Sequence, residues 1–176
     1  MKFLIVFFLI LPFTAKADLS KSTIVSLNTI YLDRDYNANG TVTQSKITDT
    51  DLRLIRVEKQ WAYGFIYSQS ANDSSDANRK SYGLSLGYYS ERDFYLNYHY
   101  YFKSNYTFGN SEYTKGNGYE IDLGFLSKVT SSFYVGLLVA IKNFNYSEQE
   151  TGGSTSGVSV THKEVIPMFT FAVSLM

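Results

Sequence analysis

Apolar side chains alternate with polar or small ones in eight segments of about ten residues, all after residue 22 and all rich in Tyr, Phe, Val and Ile. A period of two is typical of β-strands whose two faces meet different surroundings. The pattern therefore predicts an all-β chain with eight strands: Thr23–Leu32, Asp49–Val57, Ala62–Ser70, Lys80–Tyr89, Phe94–Lys103, Gly118–Leu126, Phe133–Phe144 and Lys163–Leu175.

The connections between these segments alternate in length. Long polar stretches at 33–48, 71–79, 104–117 and 145–162 take turns with short ones at 58–61, 90–93 and 127–132. Transmembrane β-barrels combine short periplasmic turns with long external loops in this way. We predict an eight-stranded antiparallel up-and-down transmembrane barrel, in which an even strand count places both chain ends on the periplasmic side.

Glycines indicate which face of each strand points inward. Alternation alone would also fit a soluble lipocalin-like barrel, whose apolar face encloses a ligand. An eight-stranded barrel has little interior space, so small residues are expected inside it. The strand glycines share the polar side of the alternation: Gly64, Gly83, Gly87, Gly124 and Gly136. The polar face is therefore predicted to be the inside, and the apolar face to contact lipid.

Aromatic residues of the apolar face fall into two groups near the strand ends. One group lies toward the long connections: Tyr31, Tyr67, Tyr82, Phe102 and Tyr119. The other lies toward the short turns: Trp61, Tyr63, Tyr88, Phe94, Phe125 and Phe133. Such groups are typical of the two aromatic girdles of a membrane barrel. A general preference of strands for aromatics is the alternative explanation, but it predicts no clustering at strand ends.

Charged and polar side chains also follow the inward frame. We predict an interior polar network made of Asp51, Arg53, His99, Lys103, Glu120, Asp122 and Lys142. Strands 2 and 6 stand opposite each other in an eight-stranded barrel, so Arg53 is expected to reach Glu120 or Asp122. Charges in so narrow a space must be paired or hydrated. The network would plug the lumen and disfavour an open pore.

Arg56 fits the pattern least well, because its strand frame points it outward. An arginine facing lipid costs roughly 2 to 4 kcal/mol at the midplane but roughly 0 to 1 near an interface. Arg56 lies close to the turn at 58–61. Its head group can then reach water. A bulge that shifts the frame of strand 2 is the alternative.

The first residues resemble an export sequence. Lys2 precedes an apolar run of about 11 residues, and Ala15 and Ala17 fit the small-residue positions of a signal-peptidase site. A transmembrane helix would need about 20 apolar residues. We predict a signal peptide at 1–17, a barrel domain at 18–176 and a location in the bacterial outer membrane.

Composition excludes several other classes. Without residues 1–17 the chain carries 14 basic and 16 acidic residues, a formal net charge of −2. A near-neutral chain is not a nucleic-acid binder by bulk charge. The sequence contains no cysteine, which excludes disulfides and thiolate metal sites.

Candidate chemistry is sparse, and we predict no catalytic, cofactor or metal site. Of the two histidines, His99 is expected to point inward, away from any acyl chain. His162 and Glu164 share a strand face and could form a base with its orienting carboxylate beside Ser159 and Thr161. Residues two apart share a face in every strand, however. No phosphate loop, nucleophile elbow or zinc motif is present.

The pattern of strands, connections and faces resembles that of the small outer-membrane proteins of the OmpA and OmpX type, over essentially all of the chain after residue 17. The resemblance implies outer-membrane lipid and the barrel assembly machinery as partners. These barrels usually end in an aromatic residue after alternating apolar positions. Here Phe169, Phe171, Val173 and Leu175 alternate, but the last residue is Met176.

Four functions remain open at the sequence level. The favoured one is a structural or surface-interaction protein that displays four polar loops to a partner not identified by the sequence. A narrow porin-like channel would require unfilled interior space. A lipid-modifying barrel enzyme and a soluble periplasmic binding barrel fit less well. We therefore expect a protein that is not an enzyme.

Overall fold

The computed structural model describes residues 21–38, 41–90 and 93–175, without the side chains of residues 33–45. The predicted signal peptide and Met176 lie outside these residues. Eight antiparallel strands form one closed barrel in the order of the chain. They are β1 Ser22–Ala38, β2 Thr41–Glu58, β3 Trp61–Asn72, β4 Ala77–Tyr89, β5 Phe94–Phe108, β6 Ser111–Lys128, β7 Phe133–Thr151 and β8 Ser154–Leu175. The predicted all-β, eight-stranded barrel is confirmed.

The strands are longer than predicted, by at most two residues at the short-turn end and by more at the end of the barrel where long loops were expected. Pairing of β6 with β7 continues to Ser111↔Thr151, and pairing of β7 with β8 continues to Thr151↔Ser154. The predicted loops at 33–48, 104–117 and 145–162 are therefore wrong, because most of their residues belong to paired strands. These extensions are mostly polar and carry only scattered inward aromatic residues, such as Tyr106, Tyr113 and Tyr146, so the alternation in them is weak.

The pairing of β1 with β8, which closes the barrel, is shorter than the pairing of any other two neighbouring strands. β1 pairs with β8 only from Thr23↔Leu175 to Thr29↔Phe169. Pro167 follows two residues beyond, and proline has no N–H with which to continue a ladder. Among the described residues, the part of β8 before Phe169 pairs with β7 alone. The residues that the structure describes include no helix that is long and apolar enough to cross a membrane.

The interior is filled in three layers. At the short-turn end, apolar side chains pack around Tyr89, Tyr95 and Tyr134. At the opposite end, Tyr101, Phe144 and Tyr146 form a second buried cluster. Charged and polar side chains occupy the space between the two. The polar frame is thus inside, as the alternation predicts.

Interior glycines leave room for large neighbours. A Cβ on Gly124 would overlap the ring of Tyr95, and one on Gly118 would overlap the ring of Phe144. At Gly64 and Gly136, a Cβ would meet the backbone of the neighbouring strand. The small residues therefore allow aromatic rings and adjacent strands to fit inside a narrow barrel.

Register in β5 shifts between Tyr101 and Ser104. Tyr101 and Ser104 are buried, whereas Phe102 and Lys103 between them are both exposed. The prediction that Lys103 belongs to the interior was wrong, because this bulge inserts an extra residue and reverses the frame after Phe102. In β2 the register is continuous, so Arg56 points outward without a bulge.

Candidate functional site

Ionisable side chains from five strands meet in the middle layer of the barrel. β2 supplies Asp49, Asp51 and Arg53 at alternate positions, all at most 1% exposed. Other strands add further buried members at the same level: His99 from β5, Glu120 and Asp122 from β6, and Lys142 from β7. We call this set, together with Arg79 of β4, the charged belt.

Arg53 lies at the centre of the charged belt. Its Nη2 is 3.3 Å from Glu120 Oε1, 3.7 Å from Asp51 Oδ2 and in direct contact with Asp122 Oδ2. With its amide oxygen turned toward the guanidinium, Asn28 accepts from Arg53 Nη2 at 2.8 Å. The prediction that Arg53 reaches Glu120 or Asp122 across the barrel is confirmed, and Arg53 contacts both carboxylates.

Lys142 forms the second centre of the charged belt. Its ammonium donates to Asp49 Oδ1 at 2.7 Å and to Asp51 Oδ1 at 2.9 Å. Glu120 Oε2 lies 3.4 Å away, and the Ser68 hydroxyl accepts at 3.3 Å. Three carboxylates thus surround one ammonium, and Asp51 and Glu120 connect it to Arg53. Buried charges arranged in this way are compensated from several sides.

Arg79 extends the belt toward the long-hairpin end. Its Nη2 lies 2.8 Å from Glu164 Oε2 and 3.5 Å from Asp49 Oδ2. Its guanidinium also lies 4.2 Å from the ring centre of Phe144. Arg79 was not predicted as a member because it lies in the stretch at 71–79 that was predicted to be a loop. Asp49 was not predicted either, although it has the same strand frame as Asp51 and Arg53.

A serine, a histidine and a carboxylate form one hydrogen-bonded row inside the belt. Ser85 Oγ is 2.7 Å from His99 Nδ1, and His99 Nε2 is 2.9 Å from Asp122 Oδ2. Nε2–H donating to Asp122 leaves Nδ1 to accept from the Ser85 hydroxyl. These groups are also those of a nucleophile, its base and an orienting acid.

The three side chains of this row are buried inside the barrel, away from any substrate in solution or lipid. His99 and Asp122 are fully buried, and Ser85 is 7% exposed. Arg53 contacts the same Asp122 oxygen that receives the His99 proton. The two hydrogen bonds of the row join β4 to β5 and β5 to β6, so the row links three neighbouring strands inside the barrel. His99 lies inside, as predicted.

Three members of the belt have the ligand types of a metal site. Ligand atoms of His99, Glu120 and Asp122 lie within 4.8 Å of one another. Oxygens of both carboxylates are already in contact with Arg53, and the Tyr101 hydroxyl donates to Glu120 Oε2 at 2.7 Å. The guanidinium therefore supplies the positive charge that a metal ion would bring.

His162 and Glu164 do not form a base and orienting-acid pair. Glu164 bonds Arg79, whereas the His162 ring packs on Tyr106 with ring centres 4.6 Å apart. Ser159 and Thr161 are exposed and lie on the other face of β8. Neither of these two hydroxyls therefore lies on the His162 side of the strand.

The outer surface carries the eleven aromatic residues assigned to girdles, and all of them lie in the outward frame. Toward the short turns, Trp61 and Tyr88 meet edge to face with ring centres 5.7 Å apart. Toward the long hairpins, the Tyr67 and Tyr82 rings are 5.1 Å apart. Neighbouring strands thus contribute aromatic side chains at the same two levels.

Comparison with protein-family models found no match, and comparison with curated proteins found none either.

Proposed function

We propose that the chain is a bacterial outer-membrane barrel that displays its long hairpins on the cell surface, with a structural or surface-interaction role. One observation carries the proposal: the barrel buries its charged side chains inside and exposes an apolar surface outside. Large outward apolar side chains form a continuous surface, with Phe65 at 62%, Leu123 at 63% and Val165 at 68% exposure. In water, such a surface would be an extensive exposed apolar patch, whereas in lipid it is satisfied.

The positions of two charged residues on the outer surface also support a barrel whose apolar surface faces lipid. Arg56 and Glu58 lie 3.5 Å apart beside the turn between β2 and β3. The Arg56 guanidinium also donates to the Thr23 hydroxyl at 3.2 Å. This pair therefore falls at the edge of the apolar surface, where a charged head group reaches water at little cost.

The filled interior argues against the two other barrel functions. A soluble binding barrel encloses an apolar cavity, whereas this barrel encloses the charged belt between two packed apolar clusters. A channel needs a continuous open path, yet Arg53 and Lys142 join carboxylates of β2 to those of β6 across the lumen. The belt thus acts as a plug that also fixes the register of the strands.

Interaction with a partner would take place through the hairpins. The β7–β8 hairpin reaches past the outer aromatic residues to its turn at Gly152 and Gly153, and its end is exposed and polar. A rigid paired hairpin presents side chains in fixed positions, unlike a flexible loop. The chemistry of its tip, rich in Thr, Ser and Gly, suits hydrogen bonding to a polar surface.

Epitope tags at the two ends of the barrel test this proposal. A tag placed between Gly152 and Gly153 should bind antibody on intact cells, while a tag between Lys59 and Gln60 should bind only after the outer membrane is permeabilised. Both tagged proteins should be recovered with outer membranes after density separation. Recovery of both in the soluble periplasmic fraction would contradict the proposal.

A further inference from the structure

Two neighbouring strands carry bulges at the same height on the outer surface. In β5, the bulge turns both Phe102 and Lys103 outward. In β6, Gly116 is buried opposite Ser104, while Lys115 has a φ of +47° and is exposed. Bulges re-aim side chains at particular positions. Here each of the two bulges directs one lysine to the outside of the barrel.

The two bulges border one groove. It has a volume of about 480 Å³ and is lined by Tyr100, Phe102, Lys103, Asn105, Thr114, Lys115, Gly116 and Asn117. This volume falls within the usual range for small-ligand sites. One side of the groove is aromatic, and the other offers two ammonium groups, two amides and a hydroxyl.

The charges around the groove leave one lysine available. Lys115 bonds Glu148 at 2.5 Å, and Asn105 donates to Glu112 at 3.2 Å. The Lys103 ammonium makes no hydrogen bond or ion pair with any residue that the structure describes. Both lysines line the groove. The Lys115 ammonium is paired with Glu148, whereas the Lys103 ammonium has no acidic partner among the described residues.

The groove lies at the level of the aromatic group at the long-hairpin end of the barrel, and this level indicates a lipid head group as the ligand. Phe102 belongs to the aromatic group at the long-hairpin end, and Tyr100 pairs with Tyr119 of the same group. Aromatic girdles lie at the level of lipid head groups. Basic pockets at that level bind anionic head groups. The aromatic side of the groove thus faces the start of an acyl chain, and the lysines face the head group.

We propose that this groove binds the phosphate of a membrane lipid, with Lys103 as its main ligand and Lys115 as a second. The inference rests on the proposed membrane location of the barrel. Lysine provides a mobile point charge suited to phosphate, and the amides of Asn105 and Asn117 add neutral donors. The bulges then have a function, because regular strands would turn Lys103 into the lumen.

Lipid binding by the folded protein in detergent micelles tests the proposal. Native mass spectrometry would compare dipalmitoyl phosphatidate with dipalmitoylglycerol, which lacks only the phosphate. The wild type should retain phosphatidate and not the diglyceride. Lys103→Gln should weaken phosphatidate binding about fivefold, the effect expected of one lysine near an anionic surface. Adding Lys115→Gln should weaken it further.

Lys163→Gln is the matched control, since Lys163 is also exposed and lies in register with Asn143, the partner of Tyr119, but does not line the groove. Equal losses from Lys103→Gln and Lys163→Gln would overturn the proposal, as would equal retention of the two lipids. Displacement by millimolar inorganic phosphate would indicate a site for free phosphate and overturn the lipid assignment. A wild type that fails to fold in micelles would instead contradict the membrane barrel itself.

Discussion

At the scale of single residues, Arg53 contributes most to the interior. Its guanidinium contacts carboxylates from two strands on opposite sides of the barrel. Arg53→Met should destabilise the folded protein by about 3 to 5 kcal/mol, because buried carboxylates lose their cation. Urea unfolding in micelles, followed by the fluorescence of the single tryptophan, Trp61, measures the change.

Arg56→Met provides the control on the same strand. Arg56 is 39% exposed and pairs with the exposed Glu58, so this change should alter stability by less than about 1 kcal/mol. Combining Arg53→Met with Asp122→Asn should recover part of the loss, since a carboxylate is removed with its partner. Equal stability of the two arginine variants would contradict the role assigned to Arg53.

Glycines inside the barrel allow a second test on single residues. A Cβ at Gly136 would overlap the backbone oxygen of Phe125 on β6. Gly136→Ala should therefore cost about 1 to 3 kcal/mol, the usual effect of overpacking. Gly157→Ala is the comparison, because nothing lies within 4 Å of its added Cβ, and it should change stability by less than about 0.5 kcal/mol. Thermal midpoints of both variants in micelles decide the matter.

At the scale of elements, the turn between β2 and β3 stores backbone strain. Lys59 and Gln60 have φ values of +49° and +77°, which side chains other than Asn, Asp and Gly seldom adopt. The Tyr88 hydroxyl donates to Gln60 Oε1 at 2.7 Å and helps to hold the turn. Because Lys59 and Gln60 lie outside the charged belt, the strain of this turn can be altered by substitution without changing the belt.

Lys59→Asn should stabilise the protein by about 0.5 to 1 kcal/mol, since asparagine tolerates the left-handed region. Lys59→Val should have the opposite effect, because a β-branched side chain is disfavoured there. The denaturation midpoint should move in opposite directions for the two variants. A common shift would mean that the loss of the lysine charge, and not backbone strain, controls the result.

The strands also show which parts of the structure the sequence pattern could predict. Period-two alternation located all eight strands and correctly placed Arg53, His99, Glu120, Asp122 and Lys142 inside, because burial on one face leaves a regular pattern. It failed at Lys103, where a bulge inserts one residue without any mark in the sequence. It also underestimated the strands, because polar hairpin extensions are stabilised by backbone pairing that side-chain pattern does not record.

At the scale of the whole molecule, a plugged interior predicts that the barrel does not conduct. The charged belt joins β2 to β6, and a buried apolar cluster lies on each side of it. Wild-type protein in planar bilayers should therefore show no steady current at moderate voltage. A stable ohmic conductance would mean that the belt opens in a membrane and would favour the channel alternative. Arg53→Met tests the same point, since removing the plug should introduce transient openings.

Heat modifiability tests the central claim, a closed barrel whose apolar face meets lipid. Protein extracted from the outer membrane is run on a denaturing gel with and without boiling. A folded membrane barrel resists the detergent, so the unboiled band should migrate differently and shift to the unfolded position after boiling. Identical migration of the two samples, with the mature chain soluble in the absence of detergent, would contradict the account and point to a soluble barrel.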